Sequence, residues 1–288
     1  MTFSRHCCTR LILLCALAGG PSVEAQTGSA YDPTRMERAL KGQYHLTIEA
    51  DYGVLSPAHR TLSAELVPVG VLEARWGVSQ IQPVNPSIGW FEERFVTGSL
   101  MDPRYAPAHL RSGEIGGSAW QLGVGVRDGY GYWPGKVLIL PYFLWTFDWT
   151  KWSPEYAAPV SGADSSIIDR YDRRVNFGLA AEAGLSLQVG WNVAFVAGYD
   201  FGFLYTRFVF PQWLASFGLA ATTQGVLGLI TAGLLKDAPG LAPVLNVLLK
   251  GGAAYGYYLL VRDNQYWPIP SETPLTYQGF KLGVNVRF

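Results

Sequence analysis

Cysteine is almost absent from this chain. Its three cysteines are Cys7, Cys8 and Cys15, so no cysteine occurs after residue 15. A disulfide framework, a thiolate metal site and a cysteine nucleophile are therefore excluded from the larger part of the chain. Charge is scarce as well, because charged residues make up 15% of the sequence and the formal net charge is zero. This balance argues against nucleic acid as a partner.

The first 25 residues have the pattern of a secretory signal peptide. Arg5 and Arg10 precede an apolar run at 11–18, and a small-residue motif predicts cleavage before Gln26. The apolar run is too short to span a membrane. We therefore predict an exported protein in which residues 26–41 form a short lead-in to the folded part.

Glycine and aromatic residues are abundant, with 33 Gly and 14% Phe, Trp and Tyr. Many segments alternate strictly between apolar residues and small or polar ones, as the last dozen residues do. This period of two predicts strands with one apolar and one polar face. We interpret residues 78–117 as a connection. The candidate strands are 44–52, 62–76, 118–127, 137–149, 174–189, 192–206, 253–262 and 276–288.

These strands predict an all-β fold, a transmembrane antiparallel β-barrel of about 8–10 strands over residues 42–288. Most exceed the ~5–6 residues usual in soluble proteins and match the ~9–11 residues that cross a bilayer. Strands that face lipid must close into a cylinder, because no backbone group can stay unpaired in hydrocarbon. The alternative is a secreted sandwich or lipocalin-like barrel with its apolar faces turned inward.

One apolar segment does not alternate. Residues 213–235 carry no charge, and a shorter apolar pattern follows Lys236 and Asp237. We predict a helical insert at about 211–250, packed on the barrel rim or placed in its lumen, with a membrane helix as the alternative. Counting eight strands back from the C-terminus puts the insert on the periplasmic side. The tight turn that follows Val189 argues for the outer side instead, and both remain open.

The last strand resembles the C-terminal assembly signal of bacterial outer-membrane β-barrel proteins. That signal has a glycine, alternating hydrophobic residues and a terminal aromatic residue. The matching residues are Gly279, Leu282, Val284, Val286 and Phe288. The resemblance implies an outer-membrane location, contact with outer-membrane lipid, and recognition of this strand by the assembly machinery through edge pairing.

The predicted inward faces carry both signs of charge. In an eight-stranded barrel such side chains fill the interior, whereas ten or more strands could leave a narrow pore. Glu65, Glu73 and Arg75 belong to this set. The main lumen-lining candidates are His45, Glu49, Asp51, Arg174, Glu182, Asp200, Lys281 and Arg287.

No residue pattern predicts a catalytic, cofactor or metal site. His45, Glu49 and Asp51 share one strand face, but we favour a polar lumen wall over a hydrolase trio. The aspartates within 164–172 lack the spacing of a calcium loop. We predict a non-enzymatic outer-membrane protein that forms a narrow channel or binds small apolar molecules. The alternatives are an accessory component of an envelope or secretion complex that docks through the insert, and, least favoured, a lipid-modifying enzyme.

Overall fold

Eight strands form a closed antiparallel barrel. Each strand pairs with its neighbours in the chain, and β8 returns to pair with β1. The computed structural model describes residues 43–107, 110–134, 137–156, 158–172, 174–190 and 192–288, so the predicted signal peptide and lead-in lie outside the described residues. The strands are β1 (Tyr44–Ala58), β2 (Val69–Asn85), β3 (Ile88–Asp102), β4 (Ile115–Tyr132), β5 (Val137–Tyr156), β6 (Val175–Val189), β7 (Val193–Leu204) and β8 (Leu275–Arg287).

Three α-helices lie in the described parts of the connections between strands. The short α1 (Gly162–Ile168) belongs to the β5–β6 connection, and the long α2 (Phe210–Asp237) and α3 (Ala242–Val261) belong to the β7–β8 connection. Both long helices have proline in the first turn, where the missing backbone N–H costs nothing. Both are long and apolar enough to cross a membrane.

The two ends of the barrel differ. One end, the turn end, carries three short connections, the start of β1 and the C-terminus, whereas the opposite loop end carries the four long connections. In the β6–β7 turn Gly190 has φ +71°, a conformation that glycine adopts without strain. Short turns face the periplasm in outer-membrane barrels, so the turn end is expected on that side.

The barrel wall is apolar outside and charged inside. Outward residues of β1, β2 and β8 are exposed, among them Leu46, Trp76 and Phe280, the last of which is 70% exposed. Inward charged residues such as Glu49 and Arg75 are buried. A soluble barrel would have the reverse arrangement. The predicted transmembrane barrel is therefore confirmed, with eight strands, and the soluble alternative is wrong.

The sequence analysis did not predict strand β3. The segment predicted as a connection, 78–117, holds all of β3 and the adjacent ends of β2 and β4. β3 carries Glu92 and Arg94 on its outward side and Glu93 on its inward side, because its outer face borders a polar cleft rather than plain lipid. Charge on both faces hides the alternation that marks the other strands.

The insert is longer than predicted and contains no strand. It spans 210–261 rather than about 211–250, and the candidate strand 253–262 is the second half of α3. Tyr258 and Val261, three residues apart, are both buried within one cluster with the outer wall, which is the spacing of a helix face. Contact with the barrel wall, rather than the local pattern, determines this helix.

The insert lies neither on the rim nor in the lumen. Residues 210–261, here named the helical hairpin, run along the outside of the barrel, with α3 against β4–β7. Near the loop end the Trp213 and Phe147 rings are 6.0 Å apart, and near the turn end the Tyr132 hydroxyl donates to the Gly240 carbonyl at 2.7 Å. The hairpin therefore covers the full height of the wall. It leaves from the loop end, opposite the C-terminus and the start of β1, so the count that put the insert on the same side as the termini is wrong. That the loop end faces the outside of the cell stays a prediction.

Candidate functional site: a sealed lumen and a lateral cleft

A dense ionic layer fills the middle of the lumen. The Arg75 guanidinium contacts Glu49 at 2.6 Å and Glu182 at 2.7 Å, and it also contacts Glu73. Only 4% of the Arg75 side chain is exposed. A Cβ at Gly198 would collide with the Glu182 carboxylate, so glycine at this position makes room for the network.

Two further cations extend this layer across the barrel. Lys281 Nζ lies 2.8 Å from Asp200 and 3.0 Å from Glu182. Arg127 contacts Glu93 at 3.0 Å and donates to Glu49 at 2.7 Å. The partners come from six different strands, so these ion pairs tie opposite sides of the wall together.

Apolar layers lie on both sides of the ionic layer. Toward the turn end the inward side chains include Phe91, Leu138 and Leu140, which are buried in one cluster. Toward the loop end Leu55 and Trp152 pack with residues of the connections in a second cluster. Side chains thus fill most of the interior of the described barrel, as is usual for eight strands. A cavity of about 50 Å³ remains near the loop end, beside Leu55 and Trp152.

Most predicted lumen residues point into this interior. Glu49, Asp51, Glu182, Asp200, Lys281 and Arg287 are all buried there, together with Arg75, whereas Glu73 is half-buried. Arg287 donates to Gln188 at 3.1 Å near the turn end.

Three predicted lumen residues lie elsewhere. Arg174 is exposed just before β6, and Glu65 is exposed in the β1–β2 connection, because each falls outside its strand. His45 lies at the turn-end rim, where its Nδ1 is 3.2 Å from the Phe288 carbonyl. The Glu49 carboxylate is bound by Arg75 and Arg127 instead of by His45. The hydrolase trio is therefore not assembled.

The residues of the predicted assembly signal lie in β8, which pairs with β1 to close the barrel, and in the residue that follows it. Leu282 and Val284 are exposed on the lipid side, Val286 is half-buried, and Gly279 packs closely against Val54 and Leu55 of β1. The Phe288 N–H donates to the Leu46 carbonyl at 2.9 Å, while its side chain is 64% exposed. The terminal aromatic ring is available on the surface rather than used for core packing.

A large cleft separates the helical hairpin from the outer wall of the barrel. Its volume is about 1040 Å³, at the upper end of the ~300–1,000 Å³ range of small-molecule sites. Tyr44, which is 70% exposed, lies at its margin, so the cleft opens sideways from the barrel. Outward residues of β2–β7 form one side of this lateral cleft, and α2 and α3 form the other.

Charged residues line the half of the cleft nearer the turn end. Lys250 of α3 donates to both carboxylate oxygens of Asp128 on β4, at 2.7 and 2.8 Å. On β3, Arg94 contacts Glu92 at 2.9 Å, and these two side chains are 40% and 32% exposed. Both pairs lie on the outer side of the wall. Ionisable groups at membrane depth are costly and mark functional sites.

Unpaired amide groups accompany these charges. Asn246, one helical turn from Lys250, is fully buried, and neither its nitrogen nor its oxygen has a hydrogen-bond partner among the described residues. The Gln224 nitrogen donates to the Lys250 carbonyl at 3.0 Å, which joins α2 to α3. Buried polar atoms without partners carry a desolvation cost, so this region is not optimised for stability alone.

Aromatic residues line the half of the cleft nearer the loop end. The Trp145 and Phe217 rings are 5.8 Å apart, and Phe203 and Tyr257 are 6.3 Å apart. All four residues line the cleft. The cleft therefore changes from charged to aromatic along the barrel axis.

Sequence reasoning missed this cleft. A lysine at 250 within an apolar helical segment was its clearest signal, because such residues need a partner at membrane depth. The partner Asp128 lies just beyond the candidate strand 118–127, and Glu92 and Arg94 lie in the missed strand. Within the described ranges no group of three or more His, Cys, Asp or Glu side chains is arranged to hold a metal ion.

Neither a protein-family profile nor a curated protein sequence matches this chain. Among solved structures, Neisserial surface protein A is similar with a TM-score of 0.42 and 11% identity, over 84% of this chain and 97% of that one. Ail, the attachment invasion locus protein of Yersinia pestis, gives a TM-score of 0.30 and 11% identity, over 86% of this chain and 99% of Ail. The structure of Ail in complex with the heparin analogue sucrose octasulfate gives a TM-score of 0.32 and 12% identity, over 85% of this chain and 99% of that one.

The geometry of the chain itself defines its class. The strands close without a free edge, the outer wall is apolar apart from the charged part of the cleft, and a buried ionic layer lies inside. Only a closed barrel satisfies the backbone of strands in lipid. The fold is that of an outer-membrane type β-barrel, to which a helical hairpin is added on the outside.

Proposed function

We propose that this protein is a non-enzymatic outer-membrane β-barrel that takes an amphipathic small molecule from the membrane into the lateral cleft. The observation that carries the proposal is the cleft itself, about 1040 Å³ in volume and open to the side of the barrel. Its charged and aromatic halves suit a molecule with a polar head and an apolar body.

A channel is the weaker proposal. Arg75, Arg127 and Lys281 occupy the middle of the lumen, with apolar layers above and below them. We expect no current from the purified protein in planar bilayers at any voltage, with the hairpin present or with residues 210–261 deleted. Stable ion-conducting steps from the intact protein would contradict a sealed barrel.

Export to the outer membrane belongs to the same proposal. It is supported by the predicted signal peptide and by the apolar outer wall, of which Leu282 is 65% exposed. Membrane fractionation checks the location, and gel mobility before and after boiling checks the fold, because a folded barrel is expected to migrate anomalously until heated. A freely dissolved mature protein would contradict the proposal.

Binding in the cleft can be tested with a substitution that fills it. Gly228 lines the cleft, and a Cβ at this position meets nothing within 4 Å, so Gly228→Phe occupies the cleft without a collision at its Cβ. Gly233 of the same helix also has open space but does not line the cleft, and Gly233→Phe is the matched control. Native mass spectrometry of the detergent-purified protein measures the retained lipid. We expect Gly228→Phe to lose it and Gly233→Phe to keep it, whereas equal retention by both variants and the unsubstituted protein would contradict the proposal.

A further inference from the structure

We infer that the occupant of the lateral cleft is a phospholipid whose head carries both a phosphate and an ammonium group. The head lies in the charged half of the cleft, near the turn end, and an acyl chain runs between hairpin and wall toward the loop end. This inference rests on the proposed function and names the chemical class of its ligand.

The head-group site is built from two opposite charges on one strand. Glu92 and Arg94 are two residues apart, so both side chains leave the outer face of β3. They pair at 2.9 Å but are partly exposed, and such pairs are worth little in isolation. An incoming zwitterion can therefore replace their mutual contact at small cost, with its phosphate on the Arg94 guanidinium and its ammonium on the Glu92 carboxylate.

Next to this pair, the charged half of the cleft holds a second ion pair, whose two charges already neutralise each other. Lys250 and Asp128 satisfy each other, with the Lys250 ammonium 5.8 Å from the Trp90 ring. Next to them the Asn246 amide has no partner among the described residues. A polar group of the lipid at this level, such as a glycerol ester, would remove the cost of that unpaired amide. A net negative head group would instead meet Glu92 and Asp128 without a surplus of positive charge.

The cleft is long enough for an acyl chain. The residues of α3 that line it extend from Asn246 to Leu260, a rise of about 21 Å at ~1.5 Å per residue. One leaflet of hydrocarbon is about 15 Å deep, half of a ~30 Å core. Phe217 and Trp145 line the far part, so the chain would end among aromatic rings. The direction of the lipid follows from the order of charged and aromatic residues along the axis.

The test compares lipids that share dioleoyl chains and differ only in the head. The probes are phosphatidylethanolamine, phosphatidylglycerol and diacylglycerol, titrated into the full-length protein in detergent and quantified by native mass spectrometry. We expect phosphatidylethanolamine to bind about tenfold more tightly than phosphatidylglycerol, because both lipids offer a phosphate to Arg94 but only phosphatidylethanolamine adds a charge-assisted contact of its ammonium with Glu92. Glu92→Gln combined with Arg94→Gln should remove this preference and leave diacylglycerol binding unchanged.

The control pair is Arg60→Gln with Asp263→Asn, an exposed ion pair of 2.6 Å outside the cleft, and this variant should keep the preference. Equal affinity of the unsubstituted protein for the two charged lipids, or an unchanged preference in the cleft double variant, would overturn the inference and leave the lipid-binding cleft intact. Lipid binding that Gly228→Phe does not reduce would overturn the proposed function as well. Glycerophosphoethanolamine, the free head, should not compete at concentrations that match the lipid. Competition as strong as that of the lipid would overturn an acyl-chain ligand in favour of a soluble one.

Discussion

The lumen and the lateral cleft place charged side chains on opposite sides of the same wall, but they use them differently. In the lumen each of Arg75, Arg127 and Lys281 contacts carboxylates of several strands and is almost completely buried. In the cleft Arg94 contacts a single neighbour on its own strand and is 40% exposed. Charges with many buried partners hold the barrel shut, whereas charges with one exposed partner remain available to a ligand.

The energetic consequences of the two arrangements also differ. Removing one member of a buried ionic network leaves charges that neither water nor the protein compensates. Removing one member of a partly exposed pair leaves a charge that solvent or a lipid head can reach. The lumen is therefore expected to be intolerant of substitution, and the cleft tolerant, so that variants of the cleft can be studied in a folded barrel.

The largest expected effect comes from Arg75→Met. Loss of this guanidinium leaves the buried Glu49 and Glu182 carboxylates without one of their cationic partners. We therefore expect a loss of about 3–5 kcal/mol in the free energy of unfolding. The matched change on the outer face is Arg94→Met, which should cost about 0–1 kcal/mol. Urea unfolding in lipid vesicles, followed by gel mobility without boiling, measures both. Equal destabilisation by the two variants would remove the distinction between the lumen and the cleft.

A disulfide tests whether the hairpin lies on the outer wall. A Cβ built at Gly251 of α3 is 2.9 Å from the Ala183 Cβ on the outward side of β6. This is somewhat closer than the ~3.8 Å mean of disulfides, so a small shift of the helix is enough. Gly251→Cys with Ala183→Cys should crosslink almost completely under mild oxidation, because the chain beyond residue 15 has no competing cysteine.

The control for this crosslink is the neighbouring residue. A Cβ at Gly252 meets nothing within 4 Å, so Gly252→Cys with Ala183→Cys should remain reduced. Non-reducing gel mobility of the folded protein separates the two outcomes. Failure of the first pair to crosslink, or equal crosslinking of both, would show that the hairpin does not pack on β6 and that the cleft is not formed as described.

The lumen and the lateral cleft also differ in how well the sequence predicted them. The alternation of β1, β6, β7 and β8 predicted the barrel and most of the lumen charges, because each of those strands has plain lipid or apolar helix on one side and a polar lumen on the other. β3 was missed because Glu92 and Arg94 face the cleft, where the outer side of a strand is polar. The path of the hairpin was unpredictable for a different reason. Its position depends on contacts such as that of Phe147 with Trp213, two residues that are 66 positions apart in the chain.

The same contrast between inward and outward side chains occurs in β8 and in Phe288, the residue that follows it. Lys281 points into the lumen and should act on stability, whereas the Phe288 side chain is 64% exposed and should act on assembly. We expect deletion of Phe288 to lower the yield of inserted barrel more than a loop substitution such as Glu272→Ala. The urea midpoint of the fraction that does insert should change little. Equal insertion of the truncated chain would contradict the assignment of the last strand as an assembly signal.

The smallest expected effect concerns the cap over the loop end of the lumen. Asp164 of α1 accepts the Ser63 N–H at 3.0 Å, and α1 brings the fully buried Ile168 into the apolar layer below it. The Ser63 N–H lowers the pKa of the Asp164 carboxyl below its usual value. Its contribution to the stability of the cap is therefore fully present above the unfolded pKa of about 4, and is lost as the pH falls through the lower folded pKa.

Pepsin cleavage of the β1–β2 connection, compared between the unsubstituted protein and Asp164→Asn, measures this effect. Asparagine keeps an acceptor oxygen but has no charge to lose, so dividing the two rates at each pH removes the pH dependence of the protease itself. We expect the ratio of unsubstituted to Asp164→Asn cleavage to rise as the pH falls below about 4. The cleft lies outside this cap, so lipid retention should not follow the same curve. A ratio that stays constant with pH would show that the Ser63 contact does not hold the cap, whereas a parallel loss of lipid would show that the cap and the cleft open together.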